Sequence, residues 1–185
     1  MKKLLLTITA IVASLQLHAQ QSPIEPYTMF VIYETYNFQT GSVLQDNFTE
    51  YVLIDLDGDG SKEIWVRTAD GKHQAVFADT ETDTYLIAWT DEKFEEVLLY
   101  KGAACANHYR PDYTLRQFAI LDNSIPETWL EVEETPEGCT YKLNNEIISA
   151  KKGEKMLKKL GYKEGKGYLT NLQWLPIPED LQPKG

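Results

Sequence analysis

The sequence predicts an α+β, β-rich fold: an antiparallel sheet or meander with an amphipathic helix near its C-terminal end. Short apolar runs rich in β-branched and aromatic residues recur from Tyr51 to Leu143, each bounded by polar or glycine-containing turns. Asp70-Gly71, a strong two-residue hairpin signal, separates two of these runs. Residues 150–160 change period: Met156, Leu157 and Leu160 share one side of a helix, and five lysines lie mostly on another. At 185 residues the chain has the length of one domain with a real core, and two large domains would not fit.

Met1-Lys2-Lys3, the apolar run Leu4 to Leu17 and the end His18-Ala19 have the layout of a secretory signal. Residues 1–19 are therefore expected to be cleaved near Ala19, leaving 20–185 as a single β-rich domain in the periplasm or outside the cell. The run is too short and too interrupted by hydroxyls for a membrane span, which needs about 20 apolar residues. Ser22-Pro23-Ile24-Glu25 supplies a cap, a first-turn proline and an acid three residues after the cap, predicting a helix from Pro23 to about Tyr36. Phe30-Val31-Ile32-Tyr33 suits a buried strand equally well, so 23–38 stays open between helix and strand.

Tyr51-Val52-Leu53-Ile54 reads as a core strand leading into an acidic loop. Glu63–Thr68 and Gln74–Ala78 form the hairpin about Asp70-Gly71. Tyr85–Trp89 and Phe94–Tyr100 are two further strands joined by Thr90-Asp91-Glu92-Lys93, and shorter candidates lie at Tyr113–Leu121, Thr128–Glu133 and Cys139–Leu143. Ser149 precedes the helix Ala150–Leu160, and Gly161 stops it. Its lysines, Lys151, Lys152, Lys155, Lys158 and Lys159, read as a solvated face, an anionic partner surface being the alternative. The proline-punctuated tail from about 175 to 185 should be extended.

The 18 Lys and Arg are outnumbered by 28 Asp and Glu, for a formal charge of −10. Nucleic-acid affinity depends on cations displacing counterions from phosphates, so nucleic acid is an unsuitable partner. Cys105 and Cys139 are the chain's two cysteines, and in an exported protein an even count implies a disulfide between them, with two unpaired buried thiols as the alternative. His73 and His108 follow the signal, and neither has the spacing of a zinc pair.

One segment has the pattern of an ion site. Asp55-Leu56-Asp57-Gly58-Asp59-Gly60-Ser61-Lys62-Glu63 puts carboxylates at positions 1, 3, 5 and 9 with glycine at 6. Ca²⁺ takes six to eight oxygens, and alternate acids can turn inward together where glycine lets the backbone curl. Asp55, Asp57, Asp59, the Ser61 carbonyl and Glu63 are the expected ligands, with water completing the shell. Mg²⁺, which demands a tighter octahedron, fits less well. The segment resembles the D-x-D-x-D-G calcium loops of EF-hands, dockerins and the FG-GAP repeats of integrin α-type chains. Val66 stands where an EF-hand carries its closing Glu, and no second copy accompanies the loop as in dockerins. The short FG-GAP-like strand–loop–strand form matches Asp55, Asp57, Asp59, Gly60 and Glu63, and the resemblance implies a structural calcium site there.

The expected function is an exported, non-catalytic binding module for a protein or glycan partner, stabilised by one calcium ion. Two alternatives stay open. A small hydrolase would use Asn107–Arg110, where an imidazole, a phenol and a guanidinium follow one another in an expected surface loop. A carbohydrate-binding module would use exposed aromatics among Trp65, Trp89, Trp129, Trp174 and the tyrosines.

Overall fold

The computed structural model describes residues 26–40, 47–80, 83–91, 93–163, 166–167 and 172–182. The expected signal sequence and the Ser22-Pro23 helix start lie outside the described residues. In chain order the elements are α1 (Pro26–Thr40), β1 (Phe48–Ile54), β2 (Glu63–Thr68), β3 (Gln74–Asp79), β4 (Thr84–Trp89), β5 (Glu96–Tyr100), β6 (Ala103–Tyr109), β7 (Thr114–Asp122), β8 (Ile125–Thr135), β9 (Gly138–Leu143), β10 (Glu146–Ile148), α2 (Ala150–Leu160) and β11 (Leu175–Pro176).

The strands form two antiparallel sheets, so the β-rich α+β expectation holds. Sheet I has the order β11-β1-β2-β3-β4, and sheet II the order β10-β9-β8-β7-β6-β5. Three apolar clusters stack them into four layers. Val52, Ile54, Val76 and Ile87 of sheet I meet Val97, Leu99, Ala104, Ala106 and Ala119 of sheet II in the middle. Strand β4 passes close to β5, β6, β7 and β8 alike, so it crosses sheet II instead of running along one strand. The small side chains Ala88, Ala104, Ala106 and Ala119 in this cluster permit that close crossing.

On the outer face of sheet I, Met29, Ile32, Tyr33 and Tyr36 pack on Phe48, Tyr51, Ile64, Val66 and Phe77. That i, i+3, i+4, i+7 spacing settles 23–38 in favour of helix over the described part. Burying four such side chains contributes roughly 1.5–3 kcal/mol each, which outweighs the weak helix propensity of aromatic and β-branched residues, at most about 0.7 kcal/mol each. The Tyr33 hydroxyl accepts the Phe48 N–H at 2.9 Å, and Tyr36 donates to the Thr90 carbonyl at 3.2 Å, tying α1 to both ends of the sheet. On the outer face of sheet II, α2 sets Leu160, Met156 and Leu157 against Phe118, Leu130, Val132 and Tyr141.

Two expectations are corrected. The Cys105–Cys139 disulfide is absent and both residues are free thiols. Cys105 lies on β6 and Cys139 on β9, with β7 and β8 between, so three inter-strand spacings of about 4.8 Å separate them. The pairing register adds a further offset, because Cys139 lines up through Glu134 and Thr114 with Tyr109, four residues along β6 from Cys105. Residues 105–109 are not a disulfide-anchored loop but most of strand β6, whose residues up to His108 are buried. Strands β4 and β5, read from the sequence as two strands joined by Thr90-Asp91-Glu92-Lys93, belong to different sheets. The start of the tail is extended as expected: Tyr51 pairs with Leu175 and Glu50 with Pro176, making β11 an edge strand where proline's missing N–H costs no ladder bond, and Glu179–Leu181 then form one short 3-10 turn.

Two consequences can be measured. A Cβ on Gly153, at the buried face of α2, would fall inside contact distance of the Tyr141 ring. Gly153→Ala is expected to destabilise by about 1–3 kcal/mol in urea titration, despite alanine's better helix propensity, and Tyr141→Leu in the same chain should recover part of the loss. Cys105 is buried and Cys139 exposed. A maleimide should label one cysteine per native chain and two in denaturant, without prior reduction.

Candidate metal centre

The loop between β1 and β2 wraps its acids inward through its own backbone. Asp55 accepts from the Gly58 N–H at 2.7 Å and the Gly60 N–H at 3.2 Å, Asp57 from Asp59 N–H at 3.2 Å, and Asp59 from Ser61 N–H at 2.7 Å. Gly58 and Gly60 adopt φ of 84° and 96°, the left-handed region that glycine enters without strain, and the curl depends on both. One carboxylate oxygen from each of Asp55, Asp57 and Asp59 lies within 4.8 Å of the other two. Asp55 and Asp59 are exposed and Asp57 half-buried. Three anionic oxygens this close repel one another unless a cation sits among them, and oxygen-only donors of this kind suit a hard divalent ion.

Glu63 stands beside this triad, not within it. Its side chain is fully buried at the start of β2, where it accepts the Leu56 N–H at 2.7 Å. Ser61 is exposed and its backbone N–H serves Asp59. Ser124, in the β7–β8 turn, has no counterpart in the sequence-based site. Its N–H donates to Asp57 at 2.9 Å, and its hydroxyl oxygen lies 3.1 Å from both Asp59 Oδ2 and Glu63 Oε1. The single hydroxyl proton serves one of those carboxylates at a time. Ser124 is buried with φ of 59°, an uncommon conformation for a residue other than glycine, held here by these bonds. The signal available was Asn123-Ser124 as a two-residue turn, which says nothing about which distant loop the serine meets.

A third turn completes the junction. Gly102, between β5 and β6, donates to the Leu56 carbonyl at 2.7 Å and accepts from Leu121 N–H at 2.9 Å. A cavity of about 260 Å³ opens beside Asp57, Gly58, Asp59, Asp122 and Asn123, so solvent and ions reach the triad from outside. Burial pushes the Glu63 carboxyl up to about 7, against the lowering effect of the Leu56 and Ser124 hydrogen bonds.

The other sequence candidates lie elsewhere. Asn107 donates to Glu96 at 2.9 Å and Tyr109 donates to the same carboxylate at 2.6 Å. His108 faces the other way, buried against the Lys93 carbonyl, with Glu95 at 3.5 Å. Arg110 pairs with Glu95 at 3.0 Å. The imidazole and the phenol therefore sit on opposite faces of sheet II, as alternation along a strand dictates. Trp65, Trp89, Trp129 and Trp174 are half-buried at the margin of the central core, with Trp65 and Trp174 edge to face at 5.0 Å and Arg67 over the Trp174 ring.

Comparison with known protein families, curated proteins and solved structures returns no match. What the fold and site define is a β-rich α+β protein with a solvent-accessible acidic triad whose oxygens are close enough together to share a metal ion.

The Glu63 environment has a pH signature in the metal-free protein. A carboxyl at about 4.5 when exposed and about 7 when folded binds more protons in the native state between those values. Its contribution to stability therefore falls as pH rises from about 4.5 to 7 and is constant above that. Denaturant titrations across this range, in chelator, should show that slope in the parent chain and its loss in Glu63→Gln.

Proposed function

We propose that this protein is an exported binding module whose two sheets are pinned together by one structural Ca²⁺ in the loop from Asp55 to Glu63. The observation that carries the reading is the convergence of the Asp55, Asp57 and Asp59 oxygens within 4.8 Å on a curled loop between two antiparallel strands. The ion would be held by these three carboxylates, with the Ser61 carbonyl, Glu63 and water completing a shell of oxygens; the resemblance to short FG-GAP-like loops supports that ligand set. Calcium is favoured over magnesium because the loop offers many flexible oxygens and no octahedral cage.

Its role would be mechanical. Neutralising the triad removes the repulsion in a loop that also contacts the β5–β6 and β7–β8 turns, so ion binding stiffens the joint between the sheets. The partner is proposed to be a protein or a glycan met outside the cytoplasm. Lys2-Lys3 followed by the apolar run Leu4 to Leu17 supports export, and among the described residues no helix is long and apolar enough to cross a membrane.

The deciding experiment compares melting of the purified protein with calcium and with chelator. A ligand at a hundredfold excess over Kd stabilises by about 2.7 kcal/mol, which for a chain this size raises Tm by roughly 5–10 °C. That shift should vanish in Asp57→Ala/Asp59→Ala. An unchanged Tm in the parent chain would sink the calcium reading.

A further inference from the structure

The basic residues of this acidic chain are concentrated on one helix. Across α2, eleven residues carry five lysines and a single acid, Glu154, whereas at the chain's average composition they would carry about one basic and between one and two acidic side chains. All five lysines are exposed, and none enters an ion pair among the described residues. At 100° per residue they fall within an arc of about 120°, opposite Gly153, Met156, Leu157 and Leu160. Lys101 extends the patch, because its N–H donates to the Leu160 carbonyl at the end of the helix, and exposed Lys163 and Lys166 follow.

A face kept only for solubility usually alternates signs and gains from pairs at i, i+4. Here Glu154 is the single acid, spaced from Lys151 and Lys158 as a helix pair but in no ion pair with either, whereas Lys151 and Lys155, Lys155 and Lys159, Lys152 and Lys155, and Lys155 and Lys158 are like-charge neighbours that weaken the helix. The arrangement is convex and carries no large apolar side chain on its outer arc. Such a surface fits a broad, flat anionic partner better than a single small anion, which needs convergent donors in a pocket.

We propose that the outer face of α2 docks on the surface of an anionic lipid bilayer by electrostatics alone. Each lysine brought near such a surface strengthens binding about fivefold, and the attraction is screened within about 10 Å at 0.1 M salt. Beneath the helix, sheet II carries acids on β8, of which Glu131 is paired with Lys142 at 2.6 Å and Glu134 with Arg116 at 2.7 Å, and the acidic β1–β2 loop adjoins only the Lys101 end, so the lysine arc faces outward, away from both. This proposal does not depend on the metal.

The test is co-sedimentation of the purified protein with vesicles of phosphatidylcholine containing 30% phosphatidylglycerol, and with pure phosphatidylcholine, in calcium and in chelator. Binding is expected to the anionic vesicles alone, to fall at least about tenfold between 50 and 500 mM salt, and to fall at least about tenfold in Lys151→Gln/Lys155→Gln/Lys158→Gln/Lys159→Gln. Glutamine keeps helix propensity, and unchanged circular dichroism and urea midpoint verify the fold. Lys72→Gln/Lys93→Gln, away from the helix, should bind as the parent does. Undiminished binding by the α2 variant would overturn the proposal and move the contact to the exposed Phe30 and Phe38 of α1. Retention on dextran sulfate with no vesicle binding would overturn it in favour of a soluble polyanion, and no binding to either would overturn it outright. Lysine dependence is read in both buffers, so failure here is distinct from failure of the calcium reading.

Discussion

Glu63 must be satisfied where it sits, and much of the architecture follows from how that is done. A carboxyl with no exposed surface that lacked hydrogen-bond donors would cost several kcal/mol. One donor is the amide of Leu56 in its own loop, and the other is the hydroxyl of Ser124 from the opposite sheet. The Leu56 carbonyl is in turn tied to Gly102, and the Gly102 carbonyl to Leu121. Three turns from two sheets are thus locked at one polar point, and none can shift without orphaning a buried group. The acidic triad lies on the solvent side of this junction, where an ion would tighten what the hydrogen bonds already align.

The rest of the packing is arranged around that joint by size and shape. Alanines at the crossing of β4 over sheet II allow the sheets to approach, whereas large side chains fill the two outer layers beneath the helices. Small-to-large changes in the middle layer and large-to-small changes in the outer ones would both be disruptive, through overpacking and cavities respectively. Charge follows the same geometry. The carboxylates of the β1–β2 loop and the lysines of α2 abut at Lys101 and Gly102, consecutive residues whose amides bond to Leu160 and Leu56. An acidic ion site and a basic surface therefore share one edge of the molecule.

Most strands, the Asp70-Gly71 hairpin, α2 with its Gly161 stop and the D-x-D-x-D-G loop were legible in the sequence, because each is specified by residues within one short window. Alternation, turn chemistry and carboxylate spacing act at that range. The segment 26–40 was not legible, since Phe30 and Phe38 add apolar residues to the exposed side of a helix whose buried side is also apolar, and the helical period is blurred. The separation of β4 from β5 and the burial of β6 were hidden for a different reason: they depend on which faces meet, and Ala103 to His108 is too rich in small and polar residues to announce a buried strand.

The sequence by itself determined the local elements, the acidic balance, the inward-turning triad and the lysine face. Tertiary structure alone decided that the strands split into two sheets, that Cys105 and Cys139 stay apart as free thiols, and that Ser124 joins a site 61 residues away from Glu63. The physical reason is range. Backbone propensity and side-chain spacing are set by neighbours in the chain, whereas cross-sheet packing, thiol separation and the satisfaction of a buried carboxylate are set by residues that meet only once the layers have closed.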